Sequence, residues 1–112
     1  MGVTTAFSRH GINLPANRIA ALCERFGVRE LAVFGSVLRD DFTPESDIDF
    51  LVTFREDDPG PWMSKRIRME DDLRALLGRE VDLVPKESIL NSENGIRGEH
   101  ILATARVIYG SP

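Results

Sequence analysis

One cysteine, one tryptophan and one tyrosine are all this 112-residue chain holds of those residues. A lone Cys23 excludes an intrachain disulfide and suits a reducing, cytoplasmic setting. Because Ile19, Leu22, Cys23 and Phe26 recur at i, i+3, i+4 and i+7, Cys23 reads as a core thiol on a helix rather than a reactive one. No run approaches the roughly 20 apolar residues needed to cross a bilayer. Residues 1–15 lack a basic segment followed by an apolar one, so neither a membrane anchor nor a signal peptide is expected. Basic excess is missing too: 14 Lys and Arg stand against 18 Asp and Glu, a net charge of −4. That balance argues against long nucleic acid as a direct partner, which would need a basic surface. It leaves a nucleotide open, since a bound metal ion supplies positive charge locally.

What remains is an ordinary globular composition, and residues 1–112 are read as one compact domain. Residues 1–14 show no firm period and read as a loose arm, or as a short turn or strand that packs on a partner, with His10 a solvated side chain. Ala16 to Phe26 is an amphipathic helix ended by Gly27. Arg29 to Gly35 is a first strand, Ser36 to Asp41 a short helix, Thr43 to Ser46 a turn and Ser46 to Phe54 a second strand. Arg55 to Pro61 is a solvated loop. A long helix runs to Leu77, with Trp62, Met69, Leu73, Leu76 and Leu77 on one face and Arg66 intruding on it. Glu80 to Pro85 is a third strand. Lys86 to Gly95 reads as a polar connection, a helix runs to Ala105 with Ile101, Leu102 and Ala105 as its buried side, and Arg106 to Tyr109 forms a short extended end. Alternating helices and strands predict an α+β fold, a small mixed β-sheet flanked by helices. The short link between the first two strands allows them to pair antiparallel.

The chemistry concentrates between Val33 and Val52. Leu31, Ala32, Val33 and Phe34 are a strand-length apolar run stopped by Gly35-Ser36. Beyond it, Asp47, Asp49, Leu51 and Thr53 fall on one strand face and Ile48, Phe50, Val52 and Phe54 on the other. A period of two sets the two carboxylates roughly 7 Å apart at Cα. Like charges at that spacing repel unless a cation sits between them, and a hard divalent ion with oxygen ligands resolves the conflict. Gly35 lets the backbone approach a ligand, and a helix beginning at Ser36 turns unpaired N–H groups and its hydroxyl toward an anion. A phosphate cradle and a metal clamp on consecutive elements suit metal-assisted phosphoryl or nucleotidyl transfer. The opposing view makes Asp47 and Asp49 solvated strand residues; strands disfavour aspartate, which weakens it.

Gly35-Ser36, ten residues, then Asp47-x-Asp49 resembles the nucleotidyltransferase signature of the DNA polymerase beta superfamily. The short form, Gly-Ser-Val-Leu-Arg-Asp-Asp-Phe with Ser-Asp-Ile-Asp-Phe-Leu-Val, resembles the minimal nucleotidyltransferase (MNT) domains, from about Pro15 to Tyr109. Asp40 stands where many of those relatives have glycine. The resemblance implies the nucleotidyltransferase fold and a third acidic residue on a later strand, a role that Asp82 in Val81-Asp82-Leu83-Val84 fits. Pairing of that strand beside the second brings Asp82 toward Asp47 and Asp49. Implied with it are magnesium, as two ions, held by Asp47, Asp49 and Asp82, ATP as substrate, and Gly35 and Ser36 on its phosphates. Arg39 either reaches a phosphate or pairs with Asp40 or Asp41. MNT domains resembling this one act as antitoxins that transfer AMP to a tyrosine of a HEPN-type toxin, in a hetero-oligomer. Two further readings stand beside that one: an antitoxin that neutralises by binding alone, and a nucleotidyltransferase acting on a small hydroxylated molecule.

Overall fold

The computed structural model describes residues 7–9, 12–38, 42–43, 45–55, 62–90 and 101–110. Their elements run β1 (Phe7–Arg9), β2 (Ile12–Leu14), α1 (Ala16–Arg25), β3 (Val28–Phe34), a 3-10 turn (Gly35–Leu38), β4 (Ile48–Phe54), α2 (Trp62–Leu77), β5 (Val81–Pro85), α3 (Lys86–Leu90) and β6 (Arg106–Gly110). Residues 101–104 are helical ahead of β6. Four strands form one mixed sheet in the order β5-β4-β3-β6. β3 pairs antiparallel with both β4 and β6, and β4 pairs parallel with β5. The parallel pair is made possible by α2, which carries the chain back across the sheet.

Strand alternation gives the sheet two unequal faces. Leu31 and Val33 of β3, Ile48, Phe50 and Val52 of β4, and Val81 and Leu83 of β5 point to the larger core. There they meet Ile19 and Cys23 of α1 and Met69 and Leu73 of α2. On the other face Ala32, Phe34 and Leu51 form a small second cluster, covered by Val84, Ile89, Ile101, Leu102 and Ala105. Each fully buried aliphatic side chain of the larger core contributes about 1.5–3 kcal/mol of burial.

Three local expectations are corrected here. The arm is not loose throughout: β1 pairs antiparallel with β2, Phe7 opposite Leu14, and Leu14 is buried in the main core. Strands of three residues are too short for a period of two to show. Lys86–Leu90 is a short helix rather than a plain connection, started where the Ser88 hydroxyl donates to the Pro85 carbonyl (2.8 Å) and seated by Ile89 on the second cluster. The helix expected over Ser36 to Asp41 is a 3-10 turn that begins at Gly35. Arg39, Asp40, Asp41, His10, most of the loop before α2 and residues 91–100 lie outside the described residues, as does the Trp62 side chain.

Arg66 has a use that its intrusion on an apolar face did not suggest. Its Nη1 donates to the Leu83 carbonyl (3.0 Å), the Leu83 N–H donates to the Glu70 carboxylate (2.9 Å), and Arg74 Nη2 donates to the Val81 carbonyl (3.3 Å). Arg74 also pairs with Glu70 (2.9 Å) and Glu80 (3.1 Å). Spaced four apart, Arg66, Glu70 and Arg74 line one side of α2 and occupy the outward backbone groups of β5, the edge strand.

Cys23 is fully buried. Burial pushes its thiol from 9.0 up to about 12, with the Glu24 carboxylate adding to the rise. Below pH 9.0 the thiol is neutral in both folded and unfolded chains and stability does not depend on it. Between 9.0 and 12 only the unfolded chain ionises, so stability falls, by at most about 1.4 kcal/mol per pH unit. Urea melts from pH 8 to pH 11 are expected to show this fall, with a shallower slope in Cys23→Ala.

Candidate functional site

One row of the second face holds two of the expected carboxylates. Phe34 of β3, Asp49 of β4 and Asp82 of β5 are successive register partners, Phe34 opposite Asp49 and Asp49 opposite Asp82. Register partners share a face, so both carboxylates leave the sheet on the side of Leu51 and Val84. The next row, Ala32, Leu51 and Val84, lies under the cover of Ile89, Ile101 and Leu102. Asp82 is exposed and Asp49 half-buried at the end of the face. Neighbouring strands lie about 4.8 Å apart, so the two carboxylates are adjacent groups.

Gly35 closes the site from the β3 side. Its φ is +79°, and a Cβ built there would collide with the Oδ2 of Asp49. The missing side chain therefore serves two ends: it permits a left-handed turn directly after β3, and it leaves room for the Asp49 carboxylate. The 3-10 turn that follows buries Val37 in the main core, which ties the turn to the sheet. Ser36 lies in its first residues.

Asp47 is placed by other means. Ile48 is the first residue of β4, so Asp47 precedes the strand and is exposed, instead of lying within it as the alternation suggests. A turn takes up the preceding residues. The Ser46 N–H donates to the Thr43 carbonyl (3.0 Å) and the Thr43 N–H to the Ser46 hydroxyl (3.0 Å). The structure thus brings Asp49, Asp82 and Gly35 together on one edge of the sheet and sets Asp47 two residues from Asp49. Among the described residues no three carboxylate, imidazole or thiol side chains are gathered closely enough to hold a metal ion. A groove of about 690 Å³ lined by Arg25, Phe26, Lys65, Arg68 and Asp72 belongs to the opposite, helical face and has no part in this row.

Residues 18–102 match the nucleotidyltransferase domain family, most of the chain. The chain belongs to that family. It is 52% identical over 68 residues to a protein adenylyltransferase, MntA, of Thermococcus cleftensis, an alignment covering 61% of this chain and 66% of that protein. The chain therefore spans about two thirds of that relative's length. A solved minimal nucleotidyltransferase is 31% identical, with a TM-score of 0.62 over 80% of this chain and 84% of the other. The fold is also that of an MNT antitoxin solved in complex with a tri-AMPylated HEPN toxin of Shewanella oneidensis, with a TM-score of 0.55, 22% identity, and coverage of 85% of this chain and 69% of that one. The expected family, the mixed sheet flanked by helices and the antiparallel pairing of β3 with β4 all agree with these findings.

Gly35→Ala places a methyl group against the Asp49 carboxylate in a backbone region that L-residues avoid. A loss of about 1–3 kcal/mol in chemical denaturation is expected; unchanged stability would show that the close approach of Gly35 to Asp49 is not needed for the fold.

Proposed function

We propose that this chain is a magnesium-dependent nucleotidyltransferase that moves AMP from ATP to a tyrosine of a HEPN-type toxin, and so acts as the toxin's antitoxin in the cytoplasm. The observation that carries the reading is the pairing of Asp49 with Asp82 beside a glycine that yields space to the Asp49 carboxylate, in a chain 52% identical over 68 residues to a protein adenylyltransferase. The donor set fits the ion: magnesium takes oxygen ligands and binds through a small number of carboxylates together with substrate phosphates. The three side chains do not form a ligand set by themselves; with the phosphates of ATP supplying the remaining oxygens, Asp47, Asp49 and Asp82 would hold it, as two ions. Held there, the ions would supply the positive charge that offsets the triphosphate and the departing pyrophosphate.

The chain's own residues supply position and a proton path. Backbone N–H groups of Gly35 and Ser36 bind the outer phosphates. Asp82, exposed at the edge strand, either completes the second ion's site or takes the proton of the acceptor hydroxyl. The acceptor oxygen then bonds to the α-phosphorus as the bond from that phosphorus to the bridging oxygen breaks, and pyrophosphate carries the electron pair away. The acceptor is not this chain's own tyrosine. Tyr109 is its single one, is 2% exposed on β6 and has its phenol pushed up by burial. A second protein must therefore present the tyrosine, which suits a hetero-oligomer.

Asp49 packs no core cluster, so Asp49→Asn is expected to keep the fold and partner contact while lowering transfer by at least a hundredfold, about 2.7 kcal/mol or more of barrier. Co-expression with the toxin and intact-mass measurement checks it. An AMP-sized gain appears on the toxin with the unaltered chain, disappears with Asp49→Asn, and never appears on the antitoxin. Full neutralisation by Asp49→Asn, with no gain in either case, would establish the binding-only antitoxin instead.

A further inference from the structure

Asp47 stands outside the hydrogen-bonded ladder of the sheet, yet it is the first carboxylate of the motif. The peptides on either side of it are bonded by Arg79 and Glu80, in the link that joins α2 to β5. On its N-terminal side, the Nη1 of Arg79 donates to the Ser46 carbonyl (3.0 Å). On its C-terminal side, the Ile48 N–H donates to the Glu80 carbonyl (3.1 Å). The Arg79 guanidinium also lies over the Phe42 ring, 5.0 Å from its centroid, so one planar group spans the entry to the Thr43–Ser46 turn and its exit. Gly78, at a φ of +66°, turns the chain sharply after α2, and Arg79 and Glu80 follow directly. Arg79 is half-buried, and its reach of thirty-three positions back along the chain links the start of β5 to the start of β4.

We propose that Arg79 is a positioning residue for Asp47: it fixes the peptide ahead of Asp47 and so aims that carboxylate toward the Asp49–Asp82 row. The inference rests on the nucleotidyltransferase reading of that row. A hydrogen bond from a charged donor, lost without replacement, corresponds to roughly a tenfold to hundredfold effect. A planar guanidinium both donates and stacks, which an ammonium cannot reproduce.

The test uses the whole chain with Arg79→Ala, Arg79→Lys, Asp47→Asn and the Arg79→Ala, Asp47→Asn double variant. Amide hydrogen exchange of the metal-free protein is read first. At Asp47 and Ile48 it is expected to quicken about tenfold in Arg79→Ala, with the amides of β3 unchanged. Manganese(II)–ATP binding, followed by the paramagnetic signal of manganese, is expected to weaken about tenfold in Arg79→Ala and to recover in part in Arg79→Lys. In the Asp47→Asn background Arg79→Ala is expected to add nothing further, because it acts only through Asp47. Unchanged exchange at 46–48, or equal weakening with and without Asp47, would overturn the positioning role. If the unaltered chain binds manganese–ATP but transfers no AMP, the proposed reaction fails while the Arg79 result still stands on binding and exchange. If it binds no manganese–ATP at all, both fall.

Discussion

Pairing β4 with β5 in parallel register sets Asp49 directly beside Asp82, and much of the structure answers to that one choice. Like charges opposite one another destabilise a sheet. The pair is tolerated because it lies at the end of the sheet, next to Gly35, where the apolar cover of the second face stops. Moving either strand by one residue would turn its aspartate into the main core and its core residues out to water. Burial of Ile48, Phe50, Val81 and Leu83 on one face thus holds Asp49 and Asp82 together on the other.

A parallel edge strand needs more than its own ladder to stay in place. Its outward groups would otherwise face solvent or another chain. Here α2 supplies both layers of restraint. Met69 and Leu73 press on the core side of the sheet, and Arg66, Glu70 and Arg74 bond the backbone of β5 from its free edge. The charged residues of α2 thereby fix the strand that carries Asp82. Their mutual pairs are half-exposed and contribute little individually; the backbone contacts they deliver are what matter. The two faces of the sheet are unequal: α1 and α2 cover the larger core on one, and on the other a small cluster under Ile89, Ile101 and Leu102 leaves Asp49 and Asp82 beyond its margin.

Much of this was readable from residue order because it depends on local pattern. The apolar run of β3, the alternation of β4, the stop at Gly35 and the helical stripe through Ile19 and Cys23 came from apolar pattern or from turn residues with a steric reason; Val81-Asp82-Leu83-Val84 was picked out with the help of the family resemblance. Short elements with neither pattern nor motif were missed. β1, β2 and α3 are three to five residues long and take their form from contacts with the rest of the fold. Asp47 shows the opposite error: alternation continued on paper past the point where a turn ends the strand.

What the sequence determined by itself was the family and the order of most elements, since motif spacing and side-chain period are properties of the chain in one dimension. Only the tertiary structure decided that Asp82 is the register partner of Asp49, that Gly35 makes room for a carboxylate, and that Arg66 and Arg79 bond backbone carbonyls 17 and 33 positions away. Those are contacts between residues far apart in sequence. They exist only when strands, helix and turns have closed into one sheet, because a long arginine has no preferred partner until a carbonyl with no neighbour of its own is brought within its reach.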